Sequence, residues 1–369
     1  MTGTQEWRAA AKAHKRAMPM QRLVGNGMDP ADAHELHRLA DGGRPWDEAA
    51  EELGERNLAR ASAALAAGHT ATAHGWYLFA SACFRAGQVP LADAEPRKRK
   101  LYRRLIDAFG AAGALTEPAA EHLDLDTSAG IVSGWLLRPA GVTRPPVVVI
   151  VGGFDGWREE YHAGATYLLE RGVAAFLADV PGQGESRLFH GSHMTLGVEK
   201  AFGAVATALR ADGRLDDRVG IWGNSMGGYL AALAASAGQG YAACCINGGT
   251  VRPAEILDRY PRFIAKVRPL LGIDDPGQAH AAMERYRLTP ERLARLRVPL
   301  LVLHGSPDRV FLAGNARALY DSAASPDKRW AEWPDGDHCL YNHSHEKHVI
   351  VADWFADRLR DSLAREGGR

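Results

Sequence analysis

The sequence predicts an α/β fold, a mostly parallel sheet entered by an antiparallel hairpin and preceded by an N-terminal helical domain, and three observations carry that prediction. Apolar runs without alternation (Val147 to Val151, Ala174 to Ala178, Val219 to Trp222, Ala243 to Ile246, Leu300 to Leu303) are separated by helical segments, as expected of parallel strands covered on both faces. Two β-rich runs, His122 to Leu125 and Ile131 to Leu137, flank the turn-like Asp126-Thr-Ser-Ala-Gly130 and read as a hairpin. Residues 1–115 carry the helical period and no convincing strand.

Within residues 1–115, Ala71 to Ala86 sets Trp76, Phe79, Ala80, Cys83 and Phe84 three and four apart, with Gly87 as a stop. Asp47 to Leu65 and Ala94 to Phe109 repeat that logic, giving a small helical domain. Residues 116–369 form the α/β core, which Trp330 to Trp333 extends by one strand and His348 to Leu363 closes with an amphipathic helix. Residues 250–296 interrupt the alternation with a polar, helix-leaning stretch holding Pro253, Pro261, Pro269, Pro276 and Pro290, a lid-like insertion above the strand ends.

The bulk composition narrows the function. The 369 residues are 46% apolar and 24% charged, an ordinary globular balance, and 44 basic residues cancel 44 acidic ones. No global field remains to hold nucleic acid or an anionic membrane, so the expected partner is a small molecule. Cys83, Cys244, Cys245 and Cys339 lack metal-ligand spacing and read as buried thiols in a cytoplasmic protein. The N-terminal stretch has no apolar core for export, and no run of about 18 apolar residues could span a bilayer.

The sharpest local signal is Gly223-Asn-Ser225-Met-Gly227, after the strand ending at Trp222 and before the helical Gly228-Tyr-Leu-Ala-Ala-Leu. A nucleophile on a tight strand-to-helix turn needs small neighbours on either side, so Ser225 is the candidate nucleophile. A serine hydroxyl also needs a base, and the base an orienting acid. Asp308 follows the strand Leu300 to Leu303 and His338 follows Trp330 to Trp333, giving the chain order Ser, Asp, His. His304 at a strand end reads as a structural histidine, Asp335 and Asp337 lie too near His338 in sequence to reach its far nitrogen, and His343, His345 and His348 read as a solvated loop face.

Acyl chemistry further requires donors for a developing oxyanion. The backbone N–H of Met226 supplies one, and Gly152-Gly153-Phe154-Asp155 after the strand Val147 to Val151 supplies the other through Phe154. Asp155 projects towards the same cavity or caps the helix opening near Trp157-Arg-Glu-Glu. Trp157 and Tyr229 are candidate pocket walls, although aromatic side chains at such places also serve packing.

With Gly-Gly-Phe-Asp155, Arg-Glu-Glu160, Asp179-Val-Pro-Gly-Gln-Gly-Glu185, Gly223-Asn-Ser-Met-Gly-Gly228, His304-Gly and Asp335-Gly-Asp-His338 in view, the chain resembles one branch of the α/β-hydrolases. That branch contains the bacterial 2,6-dihydroxypseudooxynicotine hydrolases, the fungal polyketide-shortening hydrolases and, further off, the fermentation-respiration switch proteins. The resemblance spans nearly the whole chain. It implies a helical N-terminal cap over the active site, a homodimer, and hydrolysis of a carbon-carbon bond in a 1,3-dicarbonyl-like polyketide or aryl ketone. Ser225, Asp308 and His338 fall on the branch's triad positions, and Asp155 falls where the nicotine-pathway enzyme has a catalytic glutamate. The aspartate is similar to the fungal members, which favours a polyketide-like substrate. The chemistry calls for no metal or organic cofactor. Ester or thioester hydrolysis, acyl transfer or cyclisation share the same acyl-enzyme, and a non-catalytic binding protein on this fold is the alternative of another class.

Overall fold

The computed structural model describes residues 3–359, and the chain divides into two compact units, Met1–Glu121 and His122–Arg369. The first is built from the helices Gly3–Ala17, Met20–Gly25, Pro30–Asp41, Trp46–Ala66, Thr70–Gln88 and Pro96–Gly113. Local chemistry sets their ends: Asp29 accepts hydrogen bonds from the N–H groups of Ala31 and Asp32 at 2.9 and 3.2 Å, and Pro30 occupies the first helical position, where no N–H is needed. Gly54 lies flat against the Phe84 ring, so helices 46–66 and 70–88 approach closely. The indole of Trp46 donates to the Ala86 carbonyl at 2.9 Å across the same pair. Leu36, Leu53, Phe84, Leu101, Tyr102 and Leu105 fill the interior.

The second unit has the α/β-hydrolase fold, an eight-stranded sheet of order β1-β2-β4-β3-β5-β6-β7-β8. The strands are β1 (Glu121–Thr127), β2 (Gly130–Leu137), β3 (Val147–Val151), β4 (Ala174–Asp179), β5 (Val219–Asn224), β6 (Ala243–Asn247), β7 (Leu300–Gly305) and β8 (Lys328–Trp333). β2 runs antiparallel to β4, and from β4 to β8 every pairing is parallel. The central strands β3 to β7 are buried along their whole length, whereas edge strand β1 alternates, as its Leu123 and Leu125 between charged neighbours dictate. Because β3, β5, β7 and β8 are parallel, their C-terminal ends share one sheet edge, and the segments after them hold every sequence-predicted site residue from Asp155 to His338.

The expected strands are present, most of them one to three residues longer than the apolar runs, because polar ends such as Asn224, Asn247, His304 and Lys328 still pair in the ladder. Residues 250–296 form the helices Glu255–Arg259, Ile264–Leu271, Pro276–Met283 and Pro290–Leu293. Asp275 and Thr289 cap the last two. Val267, Leu270, Met283, Tyr286 and Leu293 from this insertion join the main core cluster. The closing helix spans Ser344–Leu359; residues 360–363 of the predicted helix lie outside the described residues. No described helix is long and apolar enough to cross a membrane.

Candidate active site

β5 ends in a turn too tight for side chains on its flanks. A Cβ on Gly223 would collide with the carbonyl of Gly227, and one on Gly227 would meet the carbonyls of Val151 and Gly152. Ser225 between them takes φ 59° and ψ −126°, a left-handed conformation rare for a side-chain-bearing residue. Two backbone bonds hold it there: its N–H donates to Asn247 O at 2.9 Å, and its carbonyl accepts from Gly228 N–H at 2.8 Å. The helix Met226–Ser236 begins at once, so its first N–H groups face the serine.

The structure brings Ser225, His338 and Asp308 together. His338 Nε2 lies 2.8 Å from Ser225 Oγ, and His338 Nδ1 lies 2.7 Å from Asp308 Oδ2. The second carboxylate oxygen of Asp308 accepts from the N–H groups of Val310 and Phe311 at 2.7 and 3.1 Å. With no exposed side-chain surface, that carboxylate is thereby fixed at both oxygens. Burial raises the Asp308 pKa, but the facing imidazolium and these hydrogen bonds overcome it and hold the group below the ordinary aspartate value. His338 shows the converse: burial lowers its pKa, and the Asp308 charge, followed by the neighbouring Cys339, raises it well above the usual imidazole range. The Phe311 ring meets the imidazole edge-on at 5.7 Å.

The chain immediately after His338 is clamped. Cys339 and Leu340 both have positive φ, 61° and 57°. The Cys339 carbonyl accepts from Asn247 Nδ2 at 3.0 Å and from the buried Lys347 Nζ at 3.1 Å. Burial lowers the Lys347 pKa to about 8. Asn247 thus ties both halves of the site, since its backbone carbonyl receives the Ser225 N–H and its side chain receives nothing but gives to the histidine loop and to Asn224 Oδ1. Neither Asn247 nor Lys347 is marked by the sequence as a site residue; Asn247 shows only as the polar end of an apolar strand run, and Lys347 as one charged residue in the closing helix.

The loop after β3 lies against the serine. A Cβ built on Gly153 would sit 2.8 Å from Ser225 Cβ, 2.9 Å from Ser225 Oγ and 3.2 Å from Met226 N. Phe154 follows, 7% exposed, with its ring edge-on to Phe263 at 5.1 Å. Asp155 forms an ion pair with Lys266 of helix Ile264–Leu271 at 3.1 Å. The expected cap role is not what the chain uses: the short helix Arg158–Tyr161 has Trp157 at its N-cap position and no side-chain cap. Trp157 and Tyr229 are almost fully buried; Tyr229 belongs to the main core cluster, and the Arg187 guanidinium stacks 5.9 Å from the Trp157 ring centroid.

The chain that follows this loop enters a buried charged network. Arg158, fully buried, bonds Glu159 at 2.8 Å and also Glu185, which accepts from His122 Nε2 at 2.8 Å. Trp135 Nε1 donates to the same Glu159 oxygen at 3.0 Å. Burial raises the Glu185 pKa, yet His122 and Arg158 together bring it down to about 2. His122, Asp124 and Glu185 are close enough to resemble a metal-ligand set, but Arg158 already neutralises the Glu185 carboxylate.

The competing residues fall elsewhere. His304 is buried beside Trp330. Asp337 caps the turn containing His338 by accepting from Tyr341 N–H at 2.6 Å, and Asp335 pairs with His343 at 2.9 Å. The solvated-face reading of the histidine cluster fails for His348, which is 7% exposed and packs on Tyr167 and Trp222, because the closing helix starts four residues earlier than the apolar pattern suggested and turns that residue inward. All four cysteines are free and buried.

Comparison with known proteins agrees with the fold. The model of the prolyl oligopeptidase family matches residues 160–362. The 2,6-dihydropseudooxynicotine hydrolase of Paenarthrobacter nicotinovorans is 28% identical over 303 residues, covering 80% of this chain and 79% of its own length. The hydrolase LUC6 of a Fusarium species is 27% identical over 340 residues, covering 78% and 80%. The crystal structure of 2,6-dihydroxy-pseudo-oxynicotine hydrolase superposes with a TM-score of 0.82 at 24% identity, over 92% of this chain and 95% of that one.

Proposed function

The chain belongs to the prolyl oligopeptidase family of α/β-hydrolases, and from that premise we propose that it is a serine hydrolase that cleaves a carbon-carbon bond in a 1,3-dicarbonyl-like polyketide or aryl ketone. The observation carrying the nucleophilic step is the hydrogen-bonded line from Ser225 Oγ through His338 to Asp308, at 2.8 and 2.7 Å. His338 Nε2 takes the hydroxyl proton as Ser225 Oγ adds to the ketone carbonyl. The resulting oxyanion rests on the N–H groups of Phe154 and Met226. As the tetrahedral centre collapses, the carbon-carbon electron pair leaves as an enolate, which takes the proton from His338 at carbon. Water, deprotonated by His338, then releases the acyl group from Ser225 as a carboxylic acid.

Ester hydrolysis follows the same path except at the leaving group, where an alkoxide needs only a proton on oxygen. A departing enolate also needs its oxygen held while carbon is protonated. The Asp155–Lys266 pair beside the oxyanion loop is suited to that need, with the ammonium meeting the enolate oxygen and the carboxylate holding the ammonium in place. Support for the carbon-carbon substrate comes from the relative that is named as a pseudooxynicotine hydrolase and matches most of this chain. The discriminating experiment compares Asp155→Asn and Lys266→Met on an aryl 1,3-diketone and on p-nitrophenyl acetate. Loss of diketone cleavage with ester hydrolysis retained is the expected result; equal losses on both would favour an esterase.

A further inference from the structure

A neutral side chain bonds the backbone of the loop after β3. Gln183 sits in Pro181-Gly-Gln-Gly-Glu after β4, and is 3% exposed. Its Nε2 donates to Gly152 O at 2.6 Å and to Gly153 O at 3.2 Å. Its Oε1 accepts from Val180 N–H at 3.3 Å. A backbone N–H can only donate, so Val180 fixes which end of the carboxamide is oxygen and leaves the NH₂ group facing the two carbonyls. Its own backbone N–H, bonded to Val180 O at 2.8 Å, pins the residue where it turns.

In a trans peptide the C=O and the following N–H point in opposite directions in one plane. By holding the Gly153 carbonyl, Gln183 therefore directs the Phe154 N–H away from itself. A Cβ on Gly153 would meet Ser225 Oγ and Met226 N, so the peptide linking Gly153 to Phe154 starts beside both the serine and the Met226 donor. Glycines at 152 and 153 have broad conformational freedom, and without an external restraint these peptide planes would rotate.

We propose that Gln183 is a positioning residue for the oxyanion hole, acting through the Gly152 and Gly153 carbonyls and never touching substrate. The inference rests on Ser225 being the nucleophile, as proposed above. It predicts a specific defect: ground-state binding and the His338 titration stay unchanged while stabilisation of the tetrahedral oxyanion falls.

The test uses the full chain with p-nitrophenyl acetate and an aryl trifluoromethyl ketone, which forms a tetrahedral oxyanion on an active serine. Gln183→Leu removes the donors, and Gln183→Glu keeps size and the acceptor for Val180 but turns the donor end into a carboxylate oxygen facing two carbonyls. Both variants are expected to lose about 10²-fold in kcat at near-constant KM, the scale of one displaced oxyanion donor. Trifluoromethyl ketone affinity should weaken in step, and the acid midpoint of the pH profile should not move. Gln183→His, which retains a ring N–H donor, should recover part of the loss. Variants with kcat and ketone affinity unchanged would overturn the inference, as would a kcat loss with full ketone affinity. If Gln183→Leu does not fold, Gln183→Glu decides the question on the same readouts. Ser225→Ala is assayed in parallel: activity surviving there sinks the nucleophile assignment, whereas a dead Ser225→Ala beside a normal Gln183→Glu sinks only the positioning role.

Discussion

The two sides of the candidate site are held by different physics. On the histidine side, a buried carboxylate with both oxygens engaged tunes an imidazole by charge, and the ammonium of Lys347 secures the chain that follows. On the proposed oxyanion side, close-packed glycines and a neutral carboxamide bonded to the Gly152 and Gly153 carbonyls stand in place of charge. The first side is therefore expected to answer to pH and to charge substitutions, and the second to volume and to hydrogen-bond direction. A substitution that disturbs one without the other separates the base from the oxyanion hole.

Removing the proposed nucleophile is the largest perturbation: Ser225→Ala is expected to cut turnover by about 10⁶-fold while leaving thermal unfolding intact, checked by steady-state kinetics and calorimetry. Asp308→Asn strikes only the histidine side and is expected to cost about 10⁴-fold in kcat. It carries a signed pH signature. In the intact protein burial lowers the His338 pKa, but the Asp308 charge together with Cys339 and their hydrogen bonds raises it on balance, so activity is expected to fall with acid around a midpoint above that of an ordinary histidine. With asparagine, burial acts unopposed by that charge, and the midpoint of the kcat/KM profile should move to lower pH.

Gly227→Ala strikes the opposite side. Its methyl group would press on the carbonyls of Val151 and Gly152 and displace the oxyanion loop, for an expected loss of about 10²-fold with the acid midpoint unmoved. A shifted midpoint in Gly227→Ala, or an unshifted one in Asp308→Asn, would break the division between the two sides.

The smallest expected effect on activity comes from Glu185→Gln, which removes one charge from the Arg158 network and acts on stability. Arg158 keeps Glu159 but loses the Glu185 charge, at an expected cost of about 3 kcal/mol at neutral pH, read from denaturant midpoints. The folded-state pKa of Glu185 is depressed from 4.5 to about 2, so the wild-type advantage is complete above 4.5 and is lost as the pH falls towards 2. The gap between wild type and Glu185→Gln should close over that acidic window.

Much of this was legible in the sequence, for identifiable reasons. Strands buried on both faces must be continuously apolar, so β3 to β7 announced themselves, and a nucleophile turn must have glycines where Gly223 and Gly227 stand. Asp308 and His338 followed from chain order on that sheet. What was hidden depends on tertiary proximity. Nothing local in Asp179 to Glu185 says that Gln183 reaches back to Gly152, 31 positions earlier. Likewise, Lys266 and Asp155 are brought together only when the insertion folds onto the core, and Asp155 read in isolation looked as much like a cap as a site residue. His348 misled because helical burial depends on where the helix begins, and its start at Ser344 precedes the apolar pattern.

The central claim is that Ser225 is the activated nucleophile, and covalent labelling tests it most directly. The protein is treated with a fluorophosphonate, digested and mapped by mass spectrometry, alongside a His338→Ala variant. One phosphonyl group on Ser225, formed in step with loss of activity and strongly slowed in His338→Ala, is the expected result. Full inactivation with the adduct on another residue, or an active enzyme whose Ser225 stays unlabelled, would contradict it.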